Sequence, residues 1–329
     1  MSPTGTRDSV VVGIDGTAAA DDALDWASAE AAARGCRLRI VHAFRPSLIV
    51  DPYGVVPPLG DLPVVWAAAE RVLVQAAARA RSVAADLPVT ARLLQGTAVP
   101  ALLGEACDAG VLVLGGRSGR GLRGRLSRSV SGQVAAQAPC PVVIVRPRDA
   151  VDARPSPPRV VVGVDESASC TAAVGFAFHA ACQRGVPVVA VHAWIPDPPG
   201  DLEAITGPPA LAEAVAGRVL DRAVDRWRSA FADVSVRPVL VRGEPAHALL
   251  AESHGAALFV IGTRGRARKA VLGSVSDTVL RHSECPLAII RQDTALAPHS
   301  AATPERERRL SHDKSYRHRI IPRKRRWLA

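Results

Sequence analysis

The chain has 329 residues, of which 48% are hydrophobic and 22% charged, with a net charge of +10 and six cysteines. This is an ordinary globular mixture, long enough for about two domains, and the cysteines show neither CxxC pairs nor zinc-ligand spacing. No apolar run approaches the roughly 18 residues of a membrane span, and the start "MSPTGTRDSVVVGID" lacks the pattern of a secretion signal, so we expect a cytoplasmic protein without a membrane span.

The predicted elements of the first half alternate between strands and helices. An all-apolar run, "VVVGI", predicts a strand buried on both faces, and it is followed by a helix, the strand "LRIVHAF", a Pro/Gly-rich loop and a long helix. The strand "VTARLL", a short helix, the strand "VLVLG", a glycine-bearing loop, a helix and the strand "PVVIV" complete this half. Such alternation predicts a parallel sheet covered by helices on both faces.

The second half of the chain repeats the first. "SVVVGIDGTAAADDALDW" aligns without a gap with "RVVVGVDESASCTAAVGF" at an offset of 150, which places Asp15 on Asp165. Further on, "SVSGQVAAQAPCPVVIVRP" matches "SVSDTVLRHSECPLAIIRQ" at an offset of 145, with Cys140 on Cys285. A period near 150 residues indicates two copies of one domain rather than an array of short repeats.

Within the second copy, two helices have clear signals. The first carries apolar residues on one face, and Arg184 followed by Gly185 predicts its C-terminal stop. The long helix is predicted from a series of apolar residues that runs from Leu211 to Phe231, mostly in steps of four.

The repeat sets the predicted boundaries. Domain 1 covers residues 1–148, a linker covers 149–157, domain 2 covers 158–293, and a basic tail covers 294–329. From Pro298 onward there are ten Arg or Lys and three Asp or Glu, so the tail supplies +7 of the net charge. We expect it to be disordered in isolation, either as a solvated, solubilising segment or as one that touches nucleic acid or an anionic surface.

The motifs "VVGVDES", "VHAW", "VIGTRG" and "LGSVSDTVLRHSECPLAII" resemble the universal stress protein family in its tandem bacterial form, over nearly all of residues 8–292. The resemblance implies, in each domain, a Rossmann-like α/β fold similar to that of adenine-nucleotide α-hydrolases, with five parallel strands in the order 3-2-1-4-5. It also implies that the two domains pair through their last strands within one chain, and pairing of whole chains into a homodimer stays open. The abundance of Arg, Ala and Pro suggests an actinobacterial source.

Some members of that family bind ATP through a G-x2-G-x9-G-[S/T] loop, and others lack the loop and bind no nucleotide. In domain 2 every required residue type is present, but seven residues rather than nine separate Gly265 from Gly273. Glycines let the backbone approach phosphate oxygens, and the amides at the start of the next helix point at the anion. The resemblance places Asp165 at the adenine end. The residues expected to bind nucleotide in domain 2 are Gly163, Asp165, Ala193, Gly262, Thr263, Arg264, Gly265, Arg266, Gly273, Ser274, Val275 and Ser276.

In domain 1 the nine-residue spacing is intact, but Ser118 and Arg128 replace two of the three glycines. Arg128 puts a long side chain where the family has bare backbone, and its guanidinium could either meet a phosphate or fill the site. The arginine-rich loop is thus either an anion site built from side chains or a solvated basic loop. The residues expected to form the domain 1 site are Gly13, Asp15, Ala43, Gly115, Arg117, Ser118, Arg128, Ser129, Val130 and Ser131.

The resemblance therefore implies a nucleotide-sensing regulatory protein of the stress response. Its cofactor would be ATP, alone or with Mg²⁺, held in domain 2 in preference to domain 1. No set of nucleophile, base and orienting residue is visible, so we do not expect an enzyme, although slow ATP hydrolysis stays open. The alternatives are a protein-interaction scaffold of the same fold that binds no nucleotide, and a nucleic-acid binder that acts through the tail.

Overall fold

The computed structural model describes residues 9–45, 62–116, 129–147, 157–195, 209–263, 272–292 and 319–320. Domain 1 contains β1 (Ser9–Ile14), α1 (Ala18–Ala33), β2 (Arg37–Phe44), α2 (Leu62–Val83), β3 (Val89–Gln95), α3 (Ala98–Ala106), β4 (Val111–Gly115), α4 (Val130–Gln137) and β5 (Val142–Val145). Domain 2 contains β6 (Val160–Val164), α5 (Ala168–Arg184), β7 (Val188–Trp194), α6 (Pro209–Arg228), β8 (Val236–Arg242), α7 (Pro245–Ser253), β9 (Leu258–Gly262), α8 (Ser274–His282) and β10 (Leu287–Ile290), and β11 (Arg319–Ile320) lies in the tail.

The described strands form one continuous sheet in the order β11-β8-β7-β6-β9-β10-β5-β4-β1-β2-β3. Each domain contributes five parallel strands, ordered β3-β2-β1-β4-β5 in domain 1 and β8-β7-β6-β9-β10 in domain 2. The last strands of the two domains pair antiparallel, with Leu287 opposite Ile144 and Ile289 opposite Val142. The predicted α/β class with parallel sheets is confirmed.

The central strands are apolar because helices cover both of their faces. Val10 and Val12 of β1 belong to the core layer that includes residues of α1, α2, α5 and α6, whereas Val11 belongs to the layer that includes residues of α3, α4, α7 and α8. All three valines are fully buried, as expected for parallel strands in the middle of a sheet. Each of the two helix layers continues from domain 1 into domain 2, so the hydrophobic core does not stop at the domain boundary.

The helix signals of domain 2 are partly confirmed. Helix α5 ends at Arg184, and Gly185 follows in the left-handed conformation with φ of 62°. Helix α6, however, ends at Arg228 before Phe231, and Leu211 and Val215 are exposed. Val219, Ala223 and Trp227 do pack against the core. The first two members of the series miss it because four residues turn a helix by about 40° more than a full circle, so steps of four drift off one face. Phe231 contributes to the core from beyond the helix end.

Two observations concern the remainder of the described chain. The tail strand β11 pairs parallel with Val241 and Arg242 of β8, while the expected disorder of the tail in isolation stays a prediction. Among the helices that the structure describes, none has both the length and the apolar character needed to cross a membrane.

Candidate functional site

The candidate site lies where strand order reverses in each domain. The chain leaves β1 for β2 on one side, whereas β4 lies on the other side of β1, and β6 has the same position between β7 and β9. In open parallel sheets, ligands bind in the crevice at the carboxyl ends of the strands at such a point. Asp15 and Asp165 follow β1 and β6 directly, and Gly115 and Gly262 end β4 and β9.

The two aspartates have the same local geometry. The Oδ1 atom of Asp15 accepts hydrogen bonds from the backbone N and Oγ1 of Thr17, at 3.1 and 2.6 Å. Asp165 Oδ1 accepts from the backbone N and Oγ of Ser167, at 2.9 and 2.5 Å. Each carboxylate thus holds the turn that leads into α1 or α5. The second oxygen, Oδ2, has no hydrogen-bond partner among the described residues, and both side chains are exposed.

The glycines that end the fourth strands are required by close backbone packing. A Cβ on Gly115 would lie 2.6 Å from the carbonyl oxygen of Ala19, and one on Gly262 would lie 2.7 Å from Ser169 Oγ. The start of the first helix therefore touches the end of the fourth strand in both domains. Glycine at these two positions is explained by packing, whether or not a ligand binds.

The glycines of the first strands have core neighbours. A Cβ on Gly13 would lie 2.7 Å from Leu114 Cδ2 and 2.8 Å from Leu102 Cδ2. A Cβ on Gly163 would lie 3.1 Å from Leu249 Cδ2. Leucine side chains therefore occupy much of the room that the missing side chains leave. The two alanines predicted beside the base, Ala43 and Ala193, are half-buried near the ends of β2 and β7.

Domain 2 has hydrogen bonds at both ends of its glycine loop. The Oγ atom of Ser169, which is fully buried at the start of α5, donates to the carbonyl oxygen of Thr263. Ser169 Oγ also lies 3.1 Å from Ser167 Oγ, which joins this group to Asp165. At the other end of the loop, Ser276 Oγ donates to the carbonyl oxygen of Gly262 at 3.1 Å.

Domain 1 lacks these anchors. The counterparts of Ser169 and Thr263 are Ala19 and Gly116, which carry no hydroxyl. Ser131, the counterpart of Ser276, lies 3.2 Å from Ser129 Oγ instead. Sequence reasoning did not single out Ser169, although a serine at a position where the first repeat has an alanine was a usable signal.

The N-termini of α4 and α8 differ in their capping, and this difference also favours domain 2 as the anion site. In domain 1, Ser129 is the N-cap residue of α4, and its Oγ accepts a hydrogen bond from the backbone N of Gly132 at 3.1 Å. In domain 2 the N-cap residue of α8 is Gly273, which makes no side-chain cap. The first backbone N–H groups of α8 therefore have no capping side chain, which suits a helix start that receives an anion.

The remaining predicted residues are divided between the two helix starts and the glycine loops. Val130 and Ser274 are exposed, and Val275 is half-buried. The following predicted residues lie outside the described part of the chain: Arg117, Ser118, Arg128, Arg264, Gly265 and Arg266.

Neighbouring histidines have a structural role in both domains. The Nδ1 atom of His42 lies 2.9 Å from the carbonyl oxygen of Ile14, and Nδ1 of His192 lies 2.8 Å from that of Val164. These bonds tie the second strand of each sheet to the end of the first. Within the described segments, no three His, Cys, Asp or Glu side chains come together in a way that could hold a metal ion.

Two parallel five-stranded units, joined through their last strands and each with an aspartate and a helix start at the switch point, define a duplicated Rossmann-like α/β protein. The sequence profile of the Universal stress protein family matches residues 6–146 and again 158–291. The chain belongs to this family, in its tandem form.

Relatives that align over nearly their whole length support this assignment. The universal stress protein Rv2623 of Mycobacterium tuberculosis is 33% identical over 303 residues, which cover 89% of this chain and 99% of the relative. Mb2028c of Mycobacterium bovis is 34% identical over 307 residues, covering 89% of this chain and 100% of the relative. A solved universal stress protein from Archaeoglobus fulgidus shares the fold, with a TM-score of 0.64 at 17% identity over 87% of this chain and 96% of that one.

Proposed function

We propose that domain 2 binds ATP, alone or with Mg²⁺, at the carboxyl ends of β6 and β9, and that occupancy changes the shape or assembly of this stress-response protein. The observation that carries the proposal is the pair of hydrogen bonds from Ser169 to Thr263 and from Ser276 to Gly262. Because these bonds fix the residues that flank the loop, less conformational entropy would be lost on binding a phosphate chain.

Two further features of domain 2 support a nucleotide. The start of α8 offers backbone N–H groups without a capping side chain, so phosphate oxygens would accept from them. At the opposite end of the crevice, Asp165 keeps Oδ2 for donors on the nucleoside. Mg²⁺ would arrive with the phosphates and keep most of its water ligands, as is usual for this ion.

Domain 1 is the weaker candidate in this proposal. Ser129 already caps α4, and the loop anchors of domain 2 are absent from it. Phosphate would therefore compete with a side chain for the Gly132 amide. We expect one nucleotide per chain, which native mass spectrometry of freshly purified protein would count.

Thermal unfolding with and without ATP tests the proposal. At 100 times the dissociation constant, a ligand that binds only the folded state stabilises it by about 2.7 kcal/mol, which raises the melting temperature of a chain this long by about 4 °C. In Gly273→Arg we expect the shift to be lost. Gly273 has φ of −66°, so arginine fits the backbone while its side chain enters the phosphate site.

The control is Gly217→Arg on α6, because a Cβ at Gly217 meets nothing within 4 Å. This variant should keep the full shift. An equal shift in both variants would contradict a site at α8. If ATP does not shift the melting temperature of the unchanged protein, the alternative function, a protein-interaction scaffold that binds no nucleotide, is favoured. The alternative of nucleic-acid binding through the tail depends on residues outside the described part of the chain.

We also propose that the pairing of β5 with β10 holds the two domains together within one chain in solution. All four residues of β10 are buried, and so are all four of β5. Strands as apolar as these would be an association hazard at an open sheet edge.

A further inference from the structure

On one face of the sheet, a buried carboxylate joins the two domains. Glu30 of α1 is only 3% exposed. Its Oε1 accepts a hydrogen bond from Arg34 Nε at 2.6 Å, and its Oε2 accepts from Arg184, the last residue of α5 in domain 2. Burying a carboxylate is costly unless it is paired, and here guanidinium groups from both domains satisfy its two oxygens.

The two arginines are counterparts in the repeat. Arg34 and Arg184 align at the offset of 150, and so do Trp26 and Phe176. Each arginine lies over the aromatic ring of the opposite domain: Arg34 Cζ is 5.9 Å from the ring centroid of Phe176, and Arg184 Cζ is 5.7 Å from that of Trp26. The cluster thus has an approximate two-fold symmetry in its cations and in its aromatic rings.

The carboxylate breaks that symmetry. The position in domain 2 that corresponds to Glu30 is occupied by Ala180, which is 1% exposed and carries no charge. The interface therefore has two cations related by the repeat and one acid, which only domain 1 provides. If two copies of domain 2 met through this face, two Arg184 side chains would be half-buried together without a carboxylate, and the like charges would repel.

We propose that Glu30 makes this surface heterotypic: the α5 face of domain 2 fits a partner that brings a carboxylate to the shared position, as domain 1 does, and disfavours a second copy of itself. The proposal rests on the pairing of β5 with β10 in solution, but not on nucleotide binding. It explains why the acid occurs in one half only, because one carboxylate suffices for two arginines that lie on opposite sides of it.

The symmetry supplies a sharp test, since the acid can be moved to the other domain. In the double variant Glu30→Ala/Ala180→Glu, the new carboxylate starts from the matching turn of α5 and faces the same two arginines. The exchange roughly conserves the volume of the cluster, which limits overpacking. The single variant Glu30→Ala leaves two half-buried guanidinium groups without their acid.

Amide hydrogen exchange in full-length protein is the measurement, followed at the paired strands β5 and β10. These amides report on domain pairing, whereas local loosening of α1 would not reach β10. We expect Glu30→Ala to speed exchange in both strands by about tenfold or more, because opening then returns to water two half-buried cations that have lost their acid. The double variant should return exchange to within about threefold of the unchanged protein. Glu30→Gln, which keeps the volume and removes the charge, is the milder replacement if Glu30→Ala does not fold.

The control is Glu105→Ala. Glu105 is 8% exposed and is also held by two arginines, Arg39 at 2.7 Å and Arg92 at 2.6 Å, but all three lie within domain 1. Adding Ala180→Glu to this variant should rescue nothing.

Four results decide the matter. Recovery of slow exchange in the relocated variant supports the proposal. Unchanged exchange in Glu30→Ala, or a relocated variant no better than the single one although circular dichroism shows it folded, would overturn it. If β5 and β10 exchange freely in the unchanged protein, the pairing proposal itself fails and this one falls with it.

Discussion

Single residues distinguish two domains that share one fold. Position 169 holds a buried serine in domain 2, while its counterpart in domain 1 is Ala19. That one hydroxyl links Asp165, through Ser167, to the carbonyl of Thr263. A hydrogen bond of this kind contributes about 1 kcal/mol net to folding stability. Because it lies at the end of the glycine loop, it also distinguishes the candidate site of domain 2 from that of domain 1.

Cys170 is a second difference, with Ala20 at the matching position of domain 1. Burial raises the pKa of the Cys170 thiol from its ordinary 9.0 to about 11, and the charge of nearby Asp165 adds to the rise. Below about pH 9 both folded and unfolded chains keep this proton. Between pH 9 and 11 only the unfolded chain loses it, so stability falls by about 2–3 kcal/mol as the pH rises through this range.

Denaturant unfolding at pH 8 and pH 10.5 checks this sign. We expect Cys170→Ala to lose less stability than the unchanged protein over this interval, because the group that titrates is gone. Cys182→Ala removes an exposed thiol and should leave the pH dependence as it was. Parallel pH profiles for Cys170→Ala and the unchanged protein would contradict the raised pKa.

At the scale of elements, two arginines each donate hydrogen bonds to the C-terminal end of a helix in the other domain. Arg146, after β5, donates to the carbonyl oxygens of Leu280 and, at 2.5 Å, of Ser283 at the end of α8. Arg291, its counterpart after β10, donates to the carbonyl oxygen of Ala136 at the end of α4. Cations at a helix C-terminus are favourable because the last carbonyls lack intrahelical partners.

We expect Arg146→Met to lower the free energy of unfolding by about 1–3 kcal/mol, because it leaves buried carbonyls without donors. Burial lowers the pKa of the half-buried Arg146 guanidinium. Chemical denaturation followed by circular dichroism measures the loss. Arg79→Met, which removes an exposed ion pair with Asp25, is the control and should change stability by no more than about 1 kcal/mol. Equal losses of unfolding free energy in the two variants would show that the hydrogen bonds of Arg146 across the domain boundary stabilise the protein no more than an exposed ion pair does.

At the scale of the whole molecule, the described residues join the domains in three places: the pairing of β5 with β10, the Glu30 cluster on one face and the arginine caps on the other. The two helix layers of the core also run through both halves. Separating the two domains would therefore expose the buried apolar strands β5 and β10 to water.

We therefore expect the unchanged protein to unfold in one calorimetric transition, with equal van't Hoff and calorimetric enthalpies. Glu30→Ala is the informative comparison, because weaker pairing should broaden this transition or split it in two. Two well-separated transitions in the unchanged protein would mean that the domains unfold independently.

Much of this architecture was accessible from the chain alone. Strand and helix order, the duplication and the positions of Asp15, Asp165 and the strand-ending glycines follow from local apolar patterns and from comparison of the two halves. Such signals lie within short windows, so they survive without knowledge of the fold. The overlong prediction for α6 shows the limit, because spacing alone did not say which apolar residues meet a neighbour.

Only the tertiary structure decided which residues act together across the repeat. Glu30 and Arg184 are 154 positions apart, and Arg146 and Leu280 are 134 apart, so no local pattern connects them. The same holds for Ser169 and Thr263, whose bond distinguishes the two candidate sites. Local periodicity determined the elements because it reflects burial, whereas the pairing of buried charges and hydroxyls depends on which surfaces folding brings into contact.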